Sequence, residues 1–164
     1  MSMDLRFVRR IVWGVGKSEM ASIFPGWENL PPHPTQNAIG FFGQLLGEPA
    51  AVVCYFRKAW LSDKLTRVNV TWWLERPPDV TIVATYEAAK QALTLEMGRD
   101  PEVMDVSGPA PDEFRQSEMI YWRDPSRVIT LSCGLVQDGV PPSNPALGLG
   151  IMDSKHDPMA RMFV

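Results

Sequence analysis

Leu65-Thr66-Arg67-Val68-Asn69-Val70-Thr71-Trp72-Trp73-Leu74 is the stretch whose reading decides the fold. Val68, Val70, Trp72 and Leu74 alternate with Arg67, Asn69, Thr71 and Trp73, the two-residue period of a strand with one face in a core. Upstream, Ala51 to Arg57 reads as a second strand. Val53 and Tyr55 share one face and Val52, Cys54 and Phe56 the other, so both faces are apolar, as in a central strand or one covered on both sides. Lys58 to Lys64 then forms the hairpin connection. Ala38 to Leu46 is a further strand in which Gly40 and Gly43 predict a bend or a close backbone approach.

The remaining elements follow from period and punctuation. Ser18 to Phe24 reads as a short helix stopped by Pro25-Gly26. Asp79 is placed as the N-cap of a long helix whose stripe is Ile82, Tyr86, Ala89, Leu93 and Met97, with Gly98 as its C-terminal cap and Pro101 just beyond. Glu118 to Trp122 and Arg127 to Cys133 make a hairpin around Asp124-Pro125-Ser126, which is turn chemistry. In the last strand Leu147, Leu149 and Ile151 alternate with Gly148, Gly150 and Met152, and no period continues from Asp153 to Val164, which reads as a loose tail. The expected fold is α+β, a single domain spanning 1–164. It is an antiparallel sheet of five or six strands with two helices on one face, readable as two tandem α-β-β-β units over 11–76 and 77–152.

Composition narrows the function classes. The 164 residues are 45% hydrophobic and 21% charged, a globular balance. Sixteen Lys and Arg against nineteen Asp and Glu leave a net charge of −3, without the basic surplus of a nucleic-acid binder. The apolar stretch after Arg9 and Arg10 is only Ile11-Val12-Trp13, too short for a secretory signal or a membrane span, so the expectation is a cytoplasmic protein that engages neither membrane nor nucleic acid. Of fifteen prolines, nine cluster at Pro31-Pro32-His33-Pro34, Pro77-Pro78, Pro109-Ala110-Pro111 and Pro141-Pro142, marking connections.

No catalytic constellation emerges, and the chain reads as a non-enzyme without cofactor or metal. Cys54 and Cys133 sit in apolar strands, where burial raises a thiol pKa and keeps it inert. His33 lies among prolines, and His156 between Lys155 and Asp157 has no nucleophile beside it. Asp153, His156 and Asp157 read as a solvated tail rather than a coordination shell. Gly14-Val15-Gly16-Lys17-Ser18 approaches a phosphate-binding loop, but Ile11 occupies the place of the first glycine.

That same stretch, Gly14-Val15-Gly16-Lys17-Ser18-Glu19-Met20 followed by Ile23-Phe24-Pro25-Gly26, resembles the opening motif of a superfamily of small α+β domains. The superfamily includes the small lipoproteins of outer-membrane assembly and the secreted β-lactamase inhibitor proteins, which are tandem repeats of helix-plus-sheet units. The resemblance implies that Gly14 turns the chain, that Glu19 lies early in the helix, and that Met20 and Ile23 pack onto the sheet. Gly16 replaces the usual hydroxyl residue, and no lipidation cysteine lies near the start.

The expected function is binding another protein. Arg67, Asn69, Thr71 and Trp73 are the candidate contact residues, because a tryptophan flanked by arginine on an uncovered sheet face has hot-spot composition. Size, acidity and architecture look like the immunity proteins of bacterial toxin systems, whose partner is a toxin. The alternative is a cytoplasmic secretion chaperone bound to an effector. A third reading is a nucleotide binder through Gly14 to Ser18, with Gly16, Lys17 and Ser18 at the phosphates.

Overall fold

The computed structural model describes residues 2–32, 34–59, 62–72, 78–104, 116–134 and 147–163. His33, Trp73 and Leu74, and the segments around Pro109 and Pro141, lie outside the described residues, as do the side chains of Asp79, Ile82, Glu118 and Cys133. Along the chain run a 3-10 helix Leu5–Arg9, helix α1 (Lys17–Ala21), strands β1 (Glu28–Asn29), β2 (Ala38–Leu45), β3 (Glu48–Ala59) and β4 (Ser62–Trp72), and helix α2 (Pro78–Met97). Strands β5 (Glu102–Val103), β6 (Gln116–Arg123), β7 (Arg127–Gly134) and β8 (Leu147–Asp153) follow, and a 3-10 helix Pro158–Phe163 ends the description.

The fold is α+β with one fully antiparallel sheet, ordered β1-β2-β3-β4-β8-β7-β6-β5. It has eight strands, not five or six. The six expected strands are all present, and the two additions are the edges β1 and β5, each two exposed residues long and too short to carry a period. The segment expected as the Lys58–Lys64 connection is largely strand, since Arg57 pairs Lys64 and Lys58 pairs Asp63 beyond a bulge at Tyr55/Phe56.

One row of partners crosses the sheet: Asn29, Phe41, Val52, Val70, Leu149, Leu131, Ile120 and Val103. Phe41, Val52 and Val70 recur 79 positions later as Ile120, Leu131 and Leu149, so β2-β3-β4 and β6-β7-β8 share one internal register. Two four-stranded meanders therefore meet last strand to last strand.

The inner six residues of that row are buried, and with Trp72, Ile129 and Ile151 they floor a single core. Met20 of α1 and Tyr86, Ala89 and Leu93 of α2 close it from above, as do Leu5, Phe7 and Val8. Trp72 is fully buried and its indole donates to the Leu45 carbonyl at 3.0 Å. Cys54 is buried and its thiol is pushed up to about 12 by desolvation. Gly98 ends α2 at φ +66°, its amide bonded to the Thr94 carbonyl at 2.9 Å. Burial alone would raise the Asp124 pKa, but hydrogen bonds from the Ser126 hydroxyl and amide and the Arg127 amide lower it, which locks the β6–β7 turn. Among the described residues no helix is long and apolar enough to cross a membrane.

Candidate functional site

The second face of the sheet is built by the alternate residues. Asn69 and Thr71 on β4 and Thr130 and Ser132 on β7 flank Gly148 and Gly150 on β8. With no side chains at Gly148 and Gly150, the face sinks along that part of β8. A Cβ on Gly150 would lie 2.7 Å from the Thr130 hydroxyl, so the walls lean over this floor. These wall residues are half-buried, and among the described residues their side chains have no hydrogen-bond partner, which leaves amide and hydroxyl groups facing water. The C-terminal 3-10 helix covers one end of the face, where Ala160 and Phe163 pack on Val128, Met152 and Tyr121.

Arg67, Asn69 and Thr71 do share this face, and Trp73 lies outside the described residues. Arg67 is not a free contact residue. Its Nε and Nη2 each donate to the Asp157 carboxylate at 2.6 Å, a two-pronged bridge to a side chain only 2% exposed. That hydrogen bonding holds the guanidinium more firmly charged than usual.

The segment read as a loose, solvated tail is therefore structural. Asp157 and Asp153 are both buried, at 3% and 4% exposure. Asp153 accepts the Lys155 amide at 3.0 Å and lies 2.7 Å from His156 Nδ1, while Asp157 also accepts the Met159 amide at 2.9 Å. Each carboxylate has its own partners, Asp157 the half-buried Arg67 and Asp153 the exposed His156. Among the described residues no three His, Cys, Asp or Glu side chains are grouped as a metal ion requires.

In the Gly14–Ser18 stretch the Gly16 amide donates to Glu19 Oε2 at 2.6 Å, the hydrogen bond of a helix capping box. Lys17 pairs with Asp63 at 3.6 Å and lies 5.8 Å over the Phe56 ring, and Ser18 is exposed at the start of a five-residue helix. Gly14 turns the chain at φ +84°, Glu19 caps the helix and Met20 is buried.

A cavity of about 900 Å³ opens where the sheet splits. The β4–β8 ladder ends at Arg67 and Met152, but β4 extends back to Ser62 and diverges from the end of β8. Gly14 and Val15 pair with Leu65 along that free stretch, and the Trp13 indole bridges the gap by donating to the Ser126 carbonyl at 2.8 Å. Arg57, Lys58, Lys64 and Lys155 line the opening with Trp13, Leu65, Pro125 and His156. This site was missed from sequence because its residues come from four separate segments, and the run Arg57-Lys58 to Lys64 read as an ordinary polar hairpin.

No protein-family model, curated protein or solved structure matches the chain.

Proposed function

We propose that the chain is a non-catalytic protein-binding module of immunity or inhibitor type, and that it grips its partner with the open face of the sheet. The observation that carries this is the trough over Gly148 and Gly150, walled by Asn69, Thr71, Thr130 and Ser132. Rigid strands present unused donors and acceptors there at fixed spacing, and a ridge or loop of a folded partner fits the lowered floor. Such polar, preorganised surfaces give specificity at little ordering cost. The resemblance to tandem helix-plus-sheet inhibitor domains supports the same reading, as does the 79-residue spacing of the two meanders. The contact set is thus Asn69 and Thr71 with Thr130 and Ser132, and Arg67 serves the fold.

The chaperone alternative has less support. A chaperone holding unfolded clients needs a continuous apolar groove. The exposed large apolar side chains among the described residues are scattered over α2 (Val83, Leu95), β5 (Val103), the C-terminal 3-10 helix (Met159, Met162) and the loop before α1 (Val12).

Capture from native lysate followed by size-exclusion chromatography with light scattering tests the proposal, using wild type and Ser132→Arg. The expected outcome is a one-to-one complex with wild type and none with the variant, both chains having the same melting temperature. A complex that survives Ser132→Arg, or a dimer that collects several unfolded clients, overturns it.

A further inference from the structure

We propose that the cavity at the split between β4 and β8 is a binding site for a small organic phosphate with a flat ring, of nucleoside di- or triphosphate size. This is a different site from the sheet-face trough, and it does not depend on the protein-binding reading.

Three observations carry the inference. First, Arg57 and Lys64 are direct partners across the β3–β4 ladder, and both line the cavity. Like charges directly opposed across two strands destabilise a sheet, so the pair is a standing cost to the fold that an anion between them would relieve. Second, Arg57, Lys58, Lys64 and Lys155 form no ion pair with a carboxylate among the described residues, although the chain carries a net charge of −3. Among the described residues the one carboxylate in the lining, Asp153, is buried and committed to His156 and the Lys155 amide. Lys17, by contrast, lies just outside the lining and is paired with Asp63. Lys58 has the Asp63 carboxylate directly opposite it in the ladder, but Arg57, Lys64 and Lys155 are left without a carboxylate partner among the described residues, and all three line the cavity.

Third, the cavity is not merely polar. Trp13, Leu65 and Pro125 supply apolar wall, and the Trp13 ring is held in place by its bond to the Ser126 carbonyl. A fixed aromatic beside several cations suits a ligand that is ring at one end and highly anionic at the other. The volume of about 900 Å³ holds a nucleotide, where a lone phosphate would leave most of it empty. Lysine ammonium groups meet phosphate oxygens as point charges, and Arg57 adds a two-pronged donor. The phosphate site thus differs from the third reading through Gly14 to Ser18: of that stretch, Gly14 alone lines the cavity.

Isothermal titration at low salt, on the full chain, tests the site with ATP, inorganic tripolyphosphate, adenosine and a poly-glutamate peptide. The expected order is ATP tightest, tripolyphosphate at least fivefold weaker, and adenosine without measurable binding. Lys64→Ala/Lys155→Ala should weaken ATP at least tenfold. Trp13→Leu should weaken ATP while leaving tripolyphosphate unchanged. Lys64→Ala alone should unfold no earlier in urea than wild type, because it removes half of the repulsive pair, and this separates lost binding from lost fold. Tripolyphosphate binding as tightly as ATP overturns the ring contact. Poly-glutamate binding in preference to ATP overturns the small-molecule assignment in favour of an acidic protein segment. Absence of binding at millimolar concentrations, or ATP affinity unchanged in the double variant, overturns the site itself.

Discussion

Arg67 shows how one side chain can be placed on a face from sequence while its main contact stays hidden. Its position in the alternation is unambiguous, but its partner lies ninety residues away, and the guanidinium spends both prongs on Asp157. Asp157 is essentially buried while Arg67 is 30% exposed, so the bridge belongs between the surface and the interior regimes. Removing the arginine leaves a buried carboxylate with the Met159 amide as its remaining partner. Arg67→Ala is therefore expected to cost about 2–4 kcal/mol, somewhat below the roughly 3–5 kcal/mol for stripping one partner from a fully buried pair, because Arg67 is partly in solvent. Arg67→Lys keeps the charge but loses the fork and should cost less. Urea unfolding checks both. An unchanged midpoint in Arg67→Ala, together with lost partner capture, would return Arg67 to the contact surface. Asp153 teaches the same lesson, while His156 is exposed as read: Asp153 looked solvated because nothing local shows that the chain folds back to Ser126. Ser154 does this, through its amide to the Ser126 carbonyl at 3.2 Å.

At the scale of elements, what was legible in sequence followed what is periodic. The Val68–Trp72 alternation, the Tyr86–Ala89–Leu93 stripe and the glycine cap at Gly98 each depend on neighbours within a few residues, and each is present. Strands β1 and β5 were not legible, since two exposed residues hold no pattern and are recruited by the ladders of β2 and β6. The phosphate cavity was invisible for the related reason that it is a gap between ladders. The glycines of β2 lie between these cases: a close approach is readable, but not what approaches. A Cβ on Gly43 would overlap three ring atoms of Trp27, and one on Gly40 would lie 2.9 Å from Leu30 Cδ1. Trp27 in turn packs on Phe24 at 5.3 Å between ring centroids, and Phe24 stacks on Phe41. Gly43→Ala should thus cost about 1–3 kcal/mol by overpacking. The cost should shrink when Trp27→Leu has already made room. A double-mutant cycle in urea reads this coupling directly, and strict additivity of the two changes would show that the indole does not rest on Gly43.

For the whole molecule, the decisive feature is that the two meanders are joined at their last strands. The β4–β8 ladder runs from Arg67–Met152 to Trp72–Leu147, and it carries Val68, Val70, Trp72, Leu147, Leu149 and Ile151, none more than 2% exposed. A fully buried side chain of this size contributes about 1.5–3 kcal/mol. Losing even part of that over six residues is comparable with the 5–15 kcal/mol stability of an ordinary domain. The N-terminal segment adds further ties across the same boundary: Arg127 donates to the Val8 carbonyl, Trp13 to the Ser126 carbonyl, and Arg9 pairs with Glu96 of α2 at 3.5 Å. The internal register repeats, but each half lacks a finished core and a finished edge without the other. A chain divided between positions 76 and 77 should therefore give two fragments that neither unfold cooperatively nor stay free of exposed apolar surface when alone. Mixed together, they should recover a one-to-one complex with the circular dichroism and unfolding transition of the intact chain. Sedimentation and thermal unfolding of each fragment, then of the mixture, make the comparison. A cooperative monomeric transition in either fragment would mean that the halves are autonomous domains, and that the row from Phe41 to Ile120 is an interface between two cores rather than the floor of one.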